Sequence, residues 1–176
     1  KLMKSIKNLV FLGMMGSGKT TVGSMVSKKL KVNFYDIDQE IEKKTKNSIS
    51  EIFKKKGEKF FRQLEEKVTF ENLQKENSII SLGGGAFTNK KIQNEILTKH
   101  ISIWLNWDSK ILIKRIQNNK KRPLAYKSTT EELKNLIKSR SKIYSRALYK
   151  INCDNLTKSE IVDKVTKFYE TNSIKS

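Results

Sequence analysis

Short apolar runs and helical repeats alternate along this chain. Leu9-Val10-Phe11-Leu12 is an apolar run that stops at a glycine, the pattern of a strand buried on both faces of a parallel sheet. From Lys19 to Leu30, Val22, Val26 and Leu30 recur at helical spacing, which predicts a helix with one buried stripe. A second strand is predicted from Val32 to Tyr35, ending at Asp36, followed by helical patterns over about 38–56 and 58–75. Ser78-Ile79-Ile80-Ser81-Leu82 is a third strand and runs into Gly83-Gly84-Gly85. A short helix near 89–97 leads to a fourth strand, Ile101-Ser102-Ile103-Trp104-Leu105, and then to a helix over 108–117. Asn118-Asn119 is expected to end that helix in the left-handed conformation that asparagine tolerates. A helix at about 130–147, a strand at 149–152 and a helix at 158–170 complete the pattern.

This alternation predicts an α/β chain: a parallel sheet of about five strands with helices on both faces, a three-layer α/β/α sandwich. All of 1–176 is expected to form one domain. Two helical patterns lie between strands two and three with no strand of their own, so about 38–75 reads as an insertion beside the sheet that could bind substrate. The polar stretch 117–129 is the candidate lid.

Composition narrows the setting. No apolar run approaches the roughly 20 residues of a membrane span, and the basic start Lys1-Leu2-Met3-Lys4 lacks a signal peptide's apolar stretch. The only cysteine, Cys153, admits no intrachain disulfide and reads as a small packing residue in a reducing, cytoplasmic protein. With 37 Lys+Arg against 18 Asp+Glu the formal charge is +19, which raises nucleic acid as a partner. The lysines, however, are scattered in pairs and triplets without interleaved aromatics. That favours a solvated basic surface and no nucleic-acid partner, with a field that could draw in anions. The arginines are few: Arg62, Arg115, Arg122, Arg140 and Arg146. In a lysine-rich chain they suggest positions that need a planar, bidentate donor.

Candidate chemistry begins at Gly13-Met14-Met15-Gly16-Ser17-Gly18-Lys19-Thr20, which matches G-x-x-x-x-G-K-[ST] between a predicted strand and helix. Glycines let backbone N–H groups turn onto phosphate oxygens, and the helix start adds partial positive charge. Lys19 would reach the β- and γ-phosphates, and the Thr20 hydroxyl could ligate Mg2+. Asp36 and Asp38 are two apart at a strand end, so both carboxylates would face the same cleft. One could hold the metal and the other act as general base toward a substrate hydroxyl; the structural alternative is that Asp38 caps the next helix.

Further segments carry a family resemblance. The phosphate-loop stretch through Thr21-Val22-Gly23, then Phe34-Tyr35-Asp36-Ile37-Asp38 with Ile41-Glu42, resembles the opening of shikimate kinases. Gly57-Glu58-Lys59-Phe60-Phe61-Arg62-Gln63-Leu64-Glu65, Ser81-Leu82-Gly83-Gly84-Gly85-Ala86, Arg122-Pro123-Leu124 and Arg140-Ser141-Lys142-Ile143-Tyr144 are similar to later motifs of that family, in its order. The resemblance spans roughly residues 8–145 and implies a P-loop NTPase-type fold, like that of nucleoside monophosphate kinases with a lid. The implied reaction is transfer of the ATP γ-phosphate to the 3-hydroxyl of shikimate, on the route to chorismate and aromatic amino acids. Implied nucleotide contacts are Gly13, Met14, Gly16, Ser17, Gly18, Lys19, Thr20, Thr21, Arg115 against adenine, and Arg122 closing with the lid. Mg2+ would sit at Thr20 and Asp36. Arg62 and Arg140 would grip the shikimate carboxylate, with Asp38 on the reacting hydroxyl, Gly83, Gly84 and Gly85 supplying backbone N–H groups, and Glu65 orienting Arg62. Lys19, Asp38 and Arg122 would be the catalytic residues, in a protein expected to be monomeric.

The sequence also departs from the family. Leu148 stands where alanine is expected after Tyr144, with Ala147 one earlier, and Cys153-Asp154-Asn155-Leu156-Thr157 matches the family's adenine loop poorly. Phe60, Phe61 and Leu64 read as core and Arg146 as surface. A gluconate or nucleoside monophosphate kinase, and a basic nucleic-acid-binding P-loop protein, are the competing readings.

Overall fold

The structure is a computed structural model and describes residues 8–119 and 127–174, the side chains up to residue 172. Five short strands, β1 (Leu9–Leu12), β2 (Asn33–Asp36), β3 (Ser78–Ser81), β4 (Ile101–Asn106) and β5 (Tyr149–Asn152), form one sheet in the order β2-β3-β1-β4-β5. Every pairing is parallel. The helices are α1 (Lys19–Leu30), α2 (Ile37–Thr45), α3 (Ile49–Leu73), α4 (Lys90–Lys99), α5 (Ser109–Gln117), α6 (Thr130–Tyr144) and α7 (Lys158–Ile174), with a 3-10 turn at Ala86–Thr88.

Side-chain alternation along the strands separates two cores. Val10, Leu12, Ile80 and Trp104 face one side, where they meet Ile41, Ile52, Phe61, Val68, Ile96, Leu112, Leu133 and Tyr144 from α2 to α6. Leu9, Phe11, Ile79, Ile103 and Ile151 face the other, against Val22 and Val26 of α1 and Ile161 and Val165 of α7. Both faces are therefore covered, which is why β1 is wholly apolar and its neighbours β3 and β4 are buried almost throughout. At the lower end, buried Asn8 donates to the carbonyls of Leu73 and Lys75 and accepts from the Ser78 amide, tying β1 to the entry of β3. Among the described residues no helix is long and apolar enough to cross a membrane.

Three local expectations need correction. The break after α2 falls at 46–48, where Lys46 takes a left-handed φ of 55° and Ser48 caps α3 by accepting from the Glu51 amide. Gly57, where the sequence places a boundary, does interrupt the helix: its φ of 83° and ψ of 172° are non-helical, angles open to glycine, so α3 is two helical stretches joined at a kink. Asn118 ends α5 in a right-handed conformation, φ −86°, with its N–H on the Lys114 and Ile116 carbonyls, so its tolerance of the left-handed region is not used. α6 also stops at Tyr144 rather than continuing to residue 147.

Candidate functional site

β1 lies between β3 and β4, and the chain leaves β1 toward one side of the sheet and β3 toward the other. Such a switch opens a crevice at the carboxyl ends of the strands, and the candidate residues gather there. The loop after Leu12 turns through Gly16 (φ 80°) and Gly18 (φ 86°), and Gly18 caps α1 without a side-chain bond. Its helix N-terminus is thus open to an anion. Lys19 is buried with its ammonium inside the loop, donating to the carbonyls of Gly13 at 2.5 Å and Met14 at 3.0 Å. Ser17 is buried as well, and its hydroxyl has no hydrogen-bond partner among the described residues. Thr20 and Thr21, the first-turn hydroxyls of α1, are exposed.

Asp36 has two tasks. One oxygen accepts from the Gln39 amide at 3.1 Å and caps α2; the other accepts from the Thr20 hydroxyl at 2.5 Å. The sequence argument that Asp36 and Asp38 share a strand face is wrong in its geometry. Asp38 lies in the first turn of α2, beyond the strand, and Asp36 rather than Asp38 is the cap. The helical turn still carries Asp38 into the crevice, since a methyl group on Gly83 would meet its Oδ1 at 2.8 Å.

The triple-glycine loop after β3 is the hub of the site. A methyl on Gly83 would also meet Glu65 Oε2 at 3.0 Å; one on Gly84 would meet Arg140 Nη1 at 3.2 Å and the Met15 amide nitrogen at 3.5 Å; one on Gly85 would meet Arg62 Nη2 at 2.6 Å. Successive Cα atoms are about 3.8 Å apart, so Asp38, Arg140 and Arg62 converge on three neighbouring backbone positions beside the phosphate loop. Arg62 pairs with Glu65 at 2.7 Å, one turn away on α3. Glu65 is buried, and burial raises its pKa above the ordinary carboxyl value; Asp38 adds to that, while Arg62 and Arg140 pull it down. Arg140 Nη1 is buried with no hydrogen-bond partner among the described residues. A guanidinium nitrogen in that state is costly unless an acceptor arrives.

Two contributors were not foreseen. Tyr144, buried in the core, donates its hydroxyl to the Gly84 carbonyl and so fixes the middle of the hub. Burial pushes its pKa up to about 12, keeping it a donor. The R-x-x-x-Y spacing marked the residue but not the target of its hydroxyl. Trp107, directly after β4, donates its indole N–H to the Ser17 carbonyl at 2.8 Å and lies under Arg115; nothing in the sequence pattern set it apart. Arg115 in turn donates to the Gly16 carbonyl at 2.9 Å. Arg122 and the lid motif lie outside the described residues.

Other expectations divide. Phe61 is core and Leu64 packs against it, but Phe60 is exposed, because α3 turns that side outward beyond its kink. Arg146 is exposed as expected, with a bond to Gln93. Ala147 packs against the core and Leu148 points outward, which accounts for the displaced alanine. Cys153 is fully buried, and burial pushes its thiol up to about 12, so it is a packing residue and no nucleophile. Among the described residues no cluster of three or more His, Cys, Asp or Glu could hold a metal by itself. The Thr20 and Asp36 oxygens instead suit a hard cation that takes its other ligands from phosphates and water.

A phosphate loop that opens onto a pocket of two arginines and two carboxylates, on a parallel sheet with this order, defines a P-loop fold built to hold a phosphate and a second anionic molecule side by side. The family model for shikimate kinase matches residues 15–170, and the chain belongs to the shikimate kinase family. The shikimate kinase of Aquifex aeolicus is 37% identical over 166 residues, covering 94% of this chain and 98% of that protein. That of Bacillus licheniformis is 40% identical over 167 residues, 92% of each chain. A structure of shikimate kinase from Acinetobacter baumannii in complex with shikimate superposes with a TM-score of 0.88 at 30% identity, covering 95% of this chain and 94% of that one.

Proposed function

We propose that this protein phosphorylates the 3-hydroxyl of shikimate with ATP. The observation that carries the reading is the convergence of Arg62 and Arg140 on adjacent glycines, Gly85 and Gly84, with Asp38 at Gly83 and the phosphate loop against Gly84. Two guanidinium groups at one place suit a carboxylate, and the carboxylate of Asp38 suits a hydroxyl whose proton must leave. Gluconate is also a carboxylated alcohol, but family membership favours shikimate.

In this reading the backbone of Gly13, Met14, Gly16, Ser17 and Gly18 holds the nucleotide's phosphates, with Thr20 and Thr21 at the helix start. Lys19 neutralises charge on the transferring group, so catalysis is mostly positioning and electrostatics. Thr20 and Asp36 would hold Mg2+, which when bound would neutralise charge on the nucleotide's phosphates. Asp38 orients the shikimate hydroxyl and takes its proton, while Arg62 and Arg140 hold the carboxylate and Gly83, Gly84 and Gly85 bring backbone close to the ring. Glu65 holds Arg62 in place. Arg115 offers its outer face to adenine, and Arg122 closes over the phosphates. A monomer in the cytoplasm completes the proposal.

The test is ADP release across a panel of shikimate, gluconate and nucleoside monophosphates. Turnover with shikimate alone is expected; turnover only with gluconate or a nucleotide would sink the reading.

A further inference from the structure

We propose that Trp107 is a positioning residue for the nucleotide half of the site, setting one amide of the phosphate loop and backing the arginine that faces the nucleobase. The inference rests on the assignment of Arg115 to the nucleobase for its second part only.

The first part follows from peptide planarity. A trans peptide holds its C=O and N–H in opposite directions. The Trp107 indole N–H donates to the Ser17 carbonyl at 2.8 Å, so the Gly18 N–H of the same peptide is turned away from Trp107. Gly18 opens α1, where free amides are the phosphate ligands. The neighbouring peptide is held similarly, since Arg115 donates to the Gly16 carbonyl at 2.9 Å while the Ser17 amide turns inward onto Met14. Two consecutive loop carbonyls are thus held from outside, by Trp107 just before α5 and by Arg115 in its last turn.

The second part is the stack. The Arg115 guanidinium carbon lies 4.1 Å from the centre of the Trp107 ring system, within the range of a favourable cation–π contact. A planar guanidinium so backed keeps its opposite face presented, with fewer conformations to lose when a base stacks on it. Trp107 is itself held fast. It packs against the cores on both sides of the sheet. Its neighbours are pinned to the end of β5: the Asn106 side-chain amide donates to Asn152, the Asn106 carbonyl accepts from the Cys153 amide, and the Asp108 amide donates to the Asp154 carboxylate. The poorly matching segment at 153–154 therefore serves as the anchor of Trp107.

The parts separate with two ligands, ATP and inorganic tripolyphosphate, which has no base. Trp107→Phe keeps the ring and deletes the N–H. It is expected to weaken both ligands about three- to tenfold, the scale of one hydrogen bond, with the KM for shikimate unchanged. Trp107→Leu deletes both features and is expected to weaken ATP by a further factor of about three without further loss for tripolyphosphate. A purely structural role would lower Tm and move the shikimate KM along with that for ATP, and that result overturns the proposal. Arg115→Ala distinguishes the failures. If it leaves ATP affinity unchanged, the nucleobase assignment falls, and tripolyphosphate alone judges the peptide-setting part. If it weakens ATP while Trp107→Phe and Trp107→Leu match wild type, the Trp107 inference falls alone. The unaltered protein gives a check that needs no substituted protein to bind ligand. It has two tryptophans, and of their indole N–H resonances, assigned with Trp104→Phe, that of Trp107 is expected to shift on saturation with tripolyphosphate; an unmoved signal counts against the proposal.

Discussion

Arg140 and Arg62 are both proposed to hold the shikimate carboxylate, yet the structure makes them unequal. Arg62 is 35% exposed at the side chain and already paired with Glu65 at 2.7 Å and, more loosely, with Glu58 at 3.7 Å. Arg140 holds a buried Nη1 with no acceptor among the described residues. A hydrogen bond between charged groups contributes about 1.5–3 kcal/mol, and the buried nitrogen belongs at the upper end because water competes little there. Solvent screening and the existing partners place Arg62 near the lower end. Arg140→Ala is therefore expected to weaken shikimate binding by about 3 kcal/mol, roughly 150-fold, and Arg62→Ala by about 1.5 kcal/mol, roughly tenfold. Losing a buried donor without an acceptor offsets the loss of the Arg140 interactions with Glu65 and Tyr144, so the Arg140→Ala Tm is expected to stay close to the wild-type value. Titration calorimetry with shikimate, beside thermal melts, reads both quantities. A change under threefold for Arg140→Ala, or a larger loss for Arg62→Ala, would refute the ranking and the burial argument behind it.

Lys19→Ala should reduce turnover at least about a thousandfold, since a buried cation at the transferring phosphate has no substitute in the loop; a rate within tenfold of wild type, measured by ADP release, would remove Lys19 from catalysis. Gly85→Ala and Gly23→Ala form a contrasting pair. At Gly85 the new methyl would displace Arg62 at 2.6 Å, raising the KM for shikimate in a folded protein; at Gly23 it would run into the Phe34 ring, and overpacking should cost about 1–3 kcal/mol of stability. Equal effects on KM and Tm in the two variants would contradict this division. Glu65 gives a pH signature. Its folded pKa is raised from 4.5, so the native state binds its proton more tightly than the unfolded chain does. Its contribution to stability is full below about pH 4.5 and is lost as pH rises through the folded value. The Tm difference between wild type and Glu65→Gln should fall as pH rises from 4 toward 8; a difference that grows would reverse the assignment.

Much of the fold was legible because the strands are short apolar runs stopped by glycine or a charge, and the signal is local. The strand order was not legible, because it depends on which helices cover which face. Boundaries failed where local chemistry was overlooked. Ser48-x-x-Glu51 is a capping signature and marks the start of α3, which the helical pattern over 38–56 runs across, while the break expected at Gly57 is present as a kink. Asp38 does face the crevice, but not for the reason the strand pattern gives: the strand ends two residues earlier, and the helix, not the pleat, points it inward. The arginines stood out because the chain otherwise uses lysine. Tyr144 and Trp107 contribute through bonds to carbonyls more than fifty residues away in sequence, which no local pattern encodes.

The long-range geometry follows from the register of two strands. β1 and β3 pair as Val10 with Ile80 and Phe11 with Ser81, and the Leu82 amide continues the ladder onto the Phe11 carbonyl. The two glycine loops therefore leave the sheet at the same height, and a methyl at Gly84 would lie 3.8 Å from the Gly13 carbonyl oxygen. Small residues are required on both sides of that approach, because any side chain would occupy the place of a substrate or push an arginine away. Holding two anions so close sets a charge problem that the surface excess of lysine cannot solve, since mobile, solvated ammonium groups are screened within about 10 Å. Cations are needed at fixed points: Lys19 inside one loop, Arg140 and Arg62 against the other. Tyr144 from the core and Trp107 from the end of β4 hold the loop carbonyls outward, which leaves backbone amides and guanidinium groups facing the crevice. In the proposed function the net charge would assist encounter, while the few fixed cations would determine what is bound.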